Sequence, residues 1–367
     1  FAAIGIMTLC ALVGARFWNP RPQLFSYLFV VGLLILLGKG VRSKALWLAV
    51  PMFWLWSNLH GGWAFGFLVM GMALLESAIV AMREGKRSDA IRMGAVLVCS
   101  LLAVLAGPSP IGRLLYPIGY FSGRIPTGLV LEFRSPNFLR PGMWPYDLLV
   151  LMLLTAMILG RKRMPISQWA TLLLTSYLSV RSIRHVPLFG IIAAPVLAMQ
   201  INAALEHYAE RGKSLREPQG FWPVNLLLLL VIPALIVLKM PRVNTEESCV
   251  RYGMYPAAAC QFLLDEPVRG EGRLLNDYGW GGYLIYKLYP QYKVSIDGRA
   301  DLHYGHMTSA IKDFEAMSPE WQAFVERVNP DVILLPVNKP VAEALREDPG
   351  WTPVYEDDVA VVFARAE

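Results

Sequence analysis

The sequence predicts a polytopic α-helical membrane domain followed by a small α/β domain, and three observations carry that prediction. Apolar residues make up 55% of the chain and charged residues only 17%, where a soluble protein has roughly half and a quarter. Mean hydropathy is positive. The bias is also uneven: apolar runs succeed one another to about residue 240, while the remainder has ordinary soluble composition and enough length to bury its own core. The expected domains are therefore residues 1–240, helical and transmembrane, and 241–367, α/β.

In chain order the candidate spans are Phe1–Gly14, Pro22–Leu37, Ala45–Trp56, Trp63–Met82, Ala90–Ala106, Tyr146–Leu159, Ile166–Val180, Val186–Leu205 and Phe221–Leu238. Several are shorter than the roughly 20 residues a crossing needs, so about nine spans are expected, with their boundaries loose by a few residues. The chain opens on Phe1 inside an apolar run, without the charged n-region and cleavage site of a signal peptide. This implies that an N-terminal part of a longer protein precedes it.

Alternate loops fall into two sets. One holds Lys39, Arg42 and Lys44; Arg83, Lys86, Arg87 and Arg92; Arg161, Lys162 and Arg163; and Arg211, Lys213 and Arg216. Because loops rich in Lys and Arg stay on the cytoplasmic side, this set is expected there. The other set holds the turn at Asn58, the long loop Gly107–Pro145, the corner Arg181–His185 and the C-terminal domain, all then outside a bacterial cytoplasmic membrane. That distribution also explains the net charge of +6 without a nucleic-acid partner.

The outer loops between the spans have their own positive charge, and all of it is arginine: Arg16, Arg21, Arg113, Arg124, Arg134, Arg140, Arg181 and Arg184. Lysine would serve as well for topology, whereas a guanidinium offers a planar fork to phosphate or carboxylate. Snorkelling at the interface is the competing account. Interleaved with these arginines are Asn58, His60, Glu132 and His185. Ionisable groups at such positions are costly unless they face a cavity or one another, so a site is expected on this side. The long loop is rich in Pro, Gly and aromatics, which argues against disorder and for a segment lying on the membrane surface, partly as a short interfacial helix.

In the C-terminal domain, helices are expected over Tyr255–Leu264, Gly281–Leu288, near Met307–Met317 and Pro319–Val328, and over Pro340–Glu347. Strands are expected over Arg273–Asn276, Lys293–Ile296 and Val332–Leu335, with a closing antiparallel hairpin around Trp351–Tyr355 and Val359–Ala364. This alternation predicts an α/β sandwich with a largely parallel sheet. Asp277 and Tyr278 follow one predicted strand, and Asp297 and Arg299 follow another. Ligand contacts collect outside the carboxyl ends of parallel strands, so these loops are candidate substrate-binding segments. A tight turn at Gly279–Gly282 with an internal Asp297–Arg299 ion pair is the structural alternative.

No Gly-x-Gly-x-x-Gly follows a strand, and no Cys/His spacing resembles a zinc site. Cys10 and Cys99 lie in apolar runs. Cys249 and Cys260 fall in the outer domain, where a disulfide is allowed but two cysteines do not demand one.

A multi-span domain with polar outer loops and a C-terminal outer α/β domain resembles the GT-C superfamily of glycosyltransferases. Asp277-Tyr278-Gly279 is similar to the end of the Trp-Trp-Asp-Tyr-Gly motif in the catalytic subunit of oligosaccharyltransferase, with Leu275 and Asn276 in place of the two tryptophans. The combination of Arg-Pro-Gln, Asn-Leu-His-Gly-Gly and Ile-Asp-Gly-Arg is similar to bacterial membrane proteins loosely grouped with that superfamily. The resemblance implies inverting transfer of a sugar from a polyprenyl-phosphate donor to an acceptor at the outer face. Arg21, Arg134 and Arg184 would hold the donor phosphate, and Asn58 and His60 would position hydroxyls, His60 joining Glu132 as a catalytic candidate. Glu132 would act as base or as ligand of a divalent metal, the one cofactor class left open. His185 is a substrate-binding candidate, and Asp277, Tyr278, Asp297 and Arg299 would meet the acceptor. In this superfamily the catalytic carboxylate usually sits in the first outer loop, which the expected N-terminal segment would contain. Two other readings stand beside it: a membrane-anchored binding or assembly protein that displays the α/β domain, and a transporter. The transporter reading calls for mid-span ionisable groups, yet Glu76 and Asp147 lie near span ends.

Overall fold

Every candidate span within the described residues is helical. In this computed structural model those residues are 2–17, 21–121, 131–138, 140–160, 162–209, 255–299 and 306–366. The helices are α1 (Ala2–Gly14), α2 (Gln23–Gly38), α3 (Ala49–Leu59), α4 (Trp63–Glu84), α5 (Arg87–Leu105), α6 (Pro110–Phe121), α7 (Trp144–Gly160), α8 (Ile166–Arg181) and α9 (Val186–Ala209). Their ends follow local chemistry. Gly85 at φ 72° terminates α4, a conformation that costs glycine nothing, and Pro165 precedes α8, where a missing N–H is harmless.

Three helical segments are long and apolar enough to cross a membrane: Trp63–Glu84, Arg87–Leu105 and Ile183–Leu205. Gly5–Gly14, Gln23–Gly38 and Trp144–Gly160 are apolar but shorter. At α3 the expected span Ala45–Trp56 is broken into a 3-10 segment, Lys44–Leu48, and an 11-residue α-helix. Eleven residues rise only about 16 Å, well short of a hydrocarbon core of roughly 30 Å. The expected run Phe221–Leu238 lies outside the described residues.

The chain divides into two compact units, one carrying the helices to α9 and one the C-terminal sheet. The boundary expected at residues 240 and 241 falls outside the described residues. In the first unit apolar side chains fill the core and also cover the outer surface, while several small polar groups are buried. Met82 and Ile91 are 79% and 72% exposed, while Ser100, Thr175 and Ser179 are buried. Apolar surface facing outward with small polar groups facing inward is what a lipid solvent selects. The interior hydroxyls bond mainly within the bundle: Thr171 and Thr175 donate to backbone carbonyls one turn earlier, and Tyr146 Oη shares a hydrogen bond with Ser179. Glu76 on α4 accepts from Ser167 at the start of α8. Gln200 on α9 pairs its amide with both the N–H and the C=O of Lys162, pinning the α7–α8 connection.

The second unit has α10 (Ala257–Asp265), β1 (Arg273–Asn276), α11 (Gly281–Leu288), β2 (Lys293–Val294), α12 (His306–Glu315), α13 (Trp321–Val328), β3 (Val332–Pro336), α14 (Pro340–Glu347), β4 (Trp351–Glu356) and β5 (Ala360–Arg365). The sheet order is β2-β1-β3-β5-β4. β2, β1 and β3 run parallel, and β5 is antiparallel to both β3 and β4. The two-residue side-chain period sends alternate residues to opposite faces. Leu275, Ile333, Leu335, Val361 and Phe363 pack against α12, α13 and α14, while Leu274, Val332, Leu334 and Val362 pack against α10 and α11. The result is a three-layer sandwich with the expected hairpin at one edge.

Candidate functional site

Four segments distant in sequence meet at one end of the first unit. They are the start of α2, the α3–α4 turn at His60–Gly62, the 3-10 turn Leu131–Phe133, and the 3-10 turn Ile183–His185. Two backbone contacts join the last pair: Ser182 Oγ donates to the Glu132 carbonyl (2.8 Å), and the Ile183 N–H donates to the Arg134 carbonyl (2.9 Å).

His60 is the hub. Its Nδ1 lies 2.7 Å from Ser26 Oγ and 3.1 Å from the Gly62 amide nitrogen, and its Nε2 lies 3.2 Å from Arg184 Nη2. Ser26 Oγ also accepts from the Trp56 indole N–H at 2.8 Å. An imidazolium would turn an N–H toward a guanidinium, which has only donors. The ring is therefore neutral, and burial, reinforced by the Arg184 charge, pushes its pKa down to about 4. A neutral ring has one lone pair, and Gly62 N–H at Nδ1 competes for it with Arg184 at Nε2; we assign it to Nε2, facing the cation, with Nδ1–H toward Ser26 Oγ. Gly62 is needed here for space, because a Cβ would stand 2.3 Å from Ser26 Oγ and 2.9 Å from His60 Nδ1. Its neighbour Gly61 admits the Tyr116 ring of α6, which a Cβ would meet at 2.8 Å.

Arg184 is held on its other side by the Phe133 ring, 5.2 Å from the guanidinium carbon to the ring centroid. Among the described residues no carboxylate pairs with it. Arg21 is paired with Glu132. Tyr27 lies within electrostatic reach of both Arg184 and Glu132, and Gln23 Nε2 donates to its hydroxyl at 3.2 Å. Counting Arg21 and Arg184 as positive, Glu132 as negative and His60 as neutral leaves one net positive charge.

The other expected residues divide. Arg134 joins through its backbone, with an exposed side chain. Asn58 bridges Trp54 O (2.7 Å) and Arg113 Nη2 (2.7 Å), while Arg113 also donates to Ser57 and to the Val104 carbonyl. This ties Asn58 to a clamp over the ends of α3 and α5. His185 lies in the turn after α8, and its buried Nδ1 has no hydrogen-bond partner. Arg124 lies outside the described residues. Ser26, Tyr27, Gln23, Phe133 and Arg113 complete the geometry. The signal for three of them was present: Gln23, Ser26 and Tyr27 put polar groups at i, i+3 and i+4 on one face of the otherwise apolar α2.

In the second unit the β1 and β2 loops lie side by side. Asn276 donates to Ile296 O (2.9 Å) and accepts from Ser295 N (3.1 Å). A Cβ on Gly281 would stand 2.1 Å from Ile296 O, so this glycine permits the close approach. Asp277, however, turns away from Asp297 and Arg299: it accepts from Gly279 N (2.7 Å) and faces Lys339 Nζ at 3.4 Å. Lys339 also pairs with Glu315 at 3.0 Å, and burial pushes the Glu315 carboxyl above its usual range despite that ammonium. Asp297 is buried and bonded by Arg299 through Nε (2.9 Å) and its backbone N–H (2.8 Å), the internal ion pair that stood as the structural alternative. Tyr278 opens the 3-10 turn and packs against the α12–α14 face of the core. Among the described residues, no group of three His, Cys, Asp or Glu side chains is arranged to hold a metal ion. The Cys249 pairing lies outside the described residues.

Comparison with protein-family models and with curated proteins finds no match.

Proposed function

We propose that the first unit binds the phosphate of a membrane lipid carrier and that the protein transfers a sugar from a polyprenyl-phosphate donor, as a GT-C glycosyltransferase does. The observation that carries this reading is Arg184: a half-buried cation fixed by a neutral histidine and an aromatic ring, with no carboxylate opposite it among the described residues. Removing a charge from water without a partner is expensive, so such a site gains most from an anion supplied by a ligand. Its place among apolar helices with outward-facing Met, Ile and Leu suits an anion carried on a lipid.

In this reading the acceptor nucleophile attacks the anomeric carbon as the bond to the phosphate oxygen breaks. Arg184 stabilises the charge that grows on the departing phosphate, with Arg21 and Arg134 beside it. Glu132, oriented by Arg21, takes the acceptor proton. Asn58 and His185 support the surrounding turns, and the strand-end loops at Asp277, Tyr278, Asp297 and Arg299 are assigned to the acceptor. The full reading includes about nine crossings, the clustered arginines on the outer side, and the α/β unit outside.

The test is turnover by the full-length protein reconstituted with a radiolabelled polyprenyl-phosphate sugar. Glu132→Gln should retain donor binding and lose transfer or release of the sugar. Equal turnover by wild type and Glu132→Gln would remove Glu132 from the chemistry. Absence of both binding and turnover in the wild type would favour an anchored binding protein.

A further inference from the structure

We infer that the second unit docks on the headgroup layer of an anionic lipid bilayer through the outer face of α11. This rests on the reading of the first unit as membrane-embedded.

Helix α11 buries Gly281, Leu284 and Leu288 against the sheet and turns Tyr286 outward. Tyr286 is 74% exposed, and Tyr289, three residues on and just past the helix end, is 68% exposed. Among the described residues of this unit, the only other exposed large apolar side chains, Met317 and Val354, are about half as open to solvent, and neither adjoins the tyrosine pair in sequence. Lys287 Nζ sits 5.3 Å from the Tyr286 ring centroid. From Tyr278 to Ile296 the chain has no acidic residue.

The chemistry selects one occupant. Tyrosine has an apolar ring and a polar tip and concentrates at membrane–water interfaces, where each end finds its own solvent. A lysine beside such a ring adds attraction to anionic headgroups close to the surface. A protein groove would require a deeper apolar patch than two rings on a short helix provide. The surface to be met is close at hand, since the same chain carries helices apolar and long enough to lie in it.

The test uses the full-length protein in nanodiscs with and without anionic lipid, photolysed with a cross-linker at single positions. Tyr286→p-benzoylphenylalanine and Tyr289→p-benzoylphenylalanine should give lipid adducts, with a yield that rises with anionic lipid and falls in Lys287→Glu. Glu347→p-benzoylphenylalanine, on exposed α14, should give none. Leu151→p-benzoylphenylalanine, on the outward side of α7, reports on the first unit independently. Lipid adducts at 151 but none at 286 and 289 would overturn the docking and leave the membrane reading standing. No adducts at any position would overturn both. Adducts to protein alone at 286 and 289 would replace the bilayer with a protein partner and so refute the proposal.

Discussion

Replacing His60 by alanine removes the acceptor that holds Arg184 and should weaken phosphate-lipid binding without unfolding the protein. The Nε2–Arg184 contact at 3.2 Å involves a charged donor, a class worth about 1.5–3 kcal/mol. Freed of it, Arg184 also recovers rotamer entropy that binding must then remove again. The predicted loss is about 10-fold to 150-fold in affinity. His60→Gln keeps an acceptor and should recover part of it. The assay is titration of polyprenyl phosphate into nanodisc-embedded protein, with thermal unfolding as the check on the fold. A folded His60→Ala variant that binds as tightly as wild type would refute the clamp.

Three further outcomes follow from the same geometry. Because the His60 pKa is lowered from 6.5 to about 4, the neutral ring is the stabilising form. Its contribution is whole above pH 6.5 and is lost as pH falls through 4, so phosphate-lipid binding should be flat from pH 7 to 5 and decline below; a midpoint near 6.5 would contradict the assignment. Gly281→Ala places a Cβ 2.1 Å from Ile296 O and 2.6 Å from Asp297 Cα, both backbone, and should cost the second unit about 1–3 kcal/mol in chemical denaturation. Asp331 accepts from the backbone N–H groups of Glu271 and Arg273 and from the Arg273 guanidinium; burial alone would raise its carboxyl, but these donors hold it below the usual value. Its stabilisation is therefore present above about pH 4 and lost below. Asp331→Ala should lower the second unit's stability by about 1–3 kcal/mol at pH 7, with the difference from wild type shrinking in acid.

The fold was legible where local pattern and tertiary packing agree. Val332–Leu335 is a short apolar run, β-branched at Val332 and Ile333, between turn residues, and Gly281–Leu288 spaces its buried residues three and four apart, so both elements stand where the sequence placed them. Lys293–Ile296 shortened to two paired residues: the Ser295 N–H still donates to the Leu274 carbonyl at 2.8 Å, but the Asn276 side chain takes up both backbone polar groups of Ile296. Span length was less legible: apolarity does not reveal that residues 44–48 form a 3-10 turn before α3.

In the site, Arg21, His60, Glu132 and Arg184 were readable as polar groups bordering apolar runs. Their pairing was not, because Arg184 meets His60 across 124 residues and Arg21 meets Glu132 across 111. No local rule assigns Lys339 to Asp277 either; that contact exists because β1 and β3 are neighbours in the sheet.

The central claim is that Arg184 is the core of a carrier-phosphate site, and the most direct measurement is binding of a polyprenyl-phosphate sugar to the full-length protein. Wild type should bind, and Arg184→Ala and Arg21→Ala should lose binding while unfolding at the wild-type temperature. No binding by wild type, or equal binding by all three, would contradict the claim.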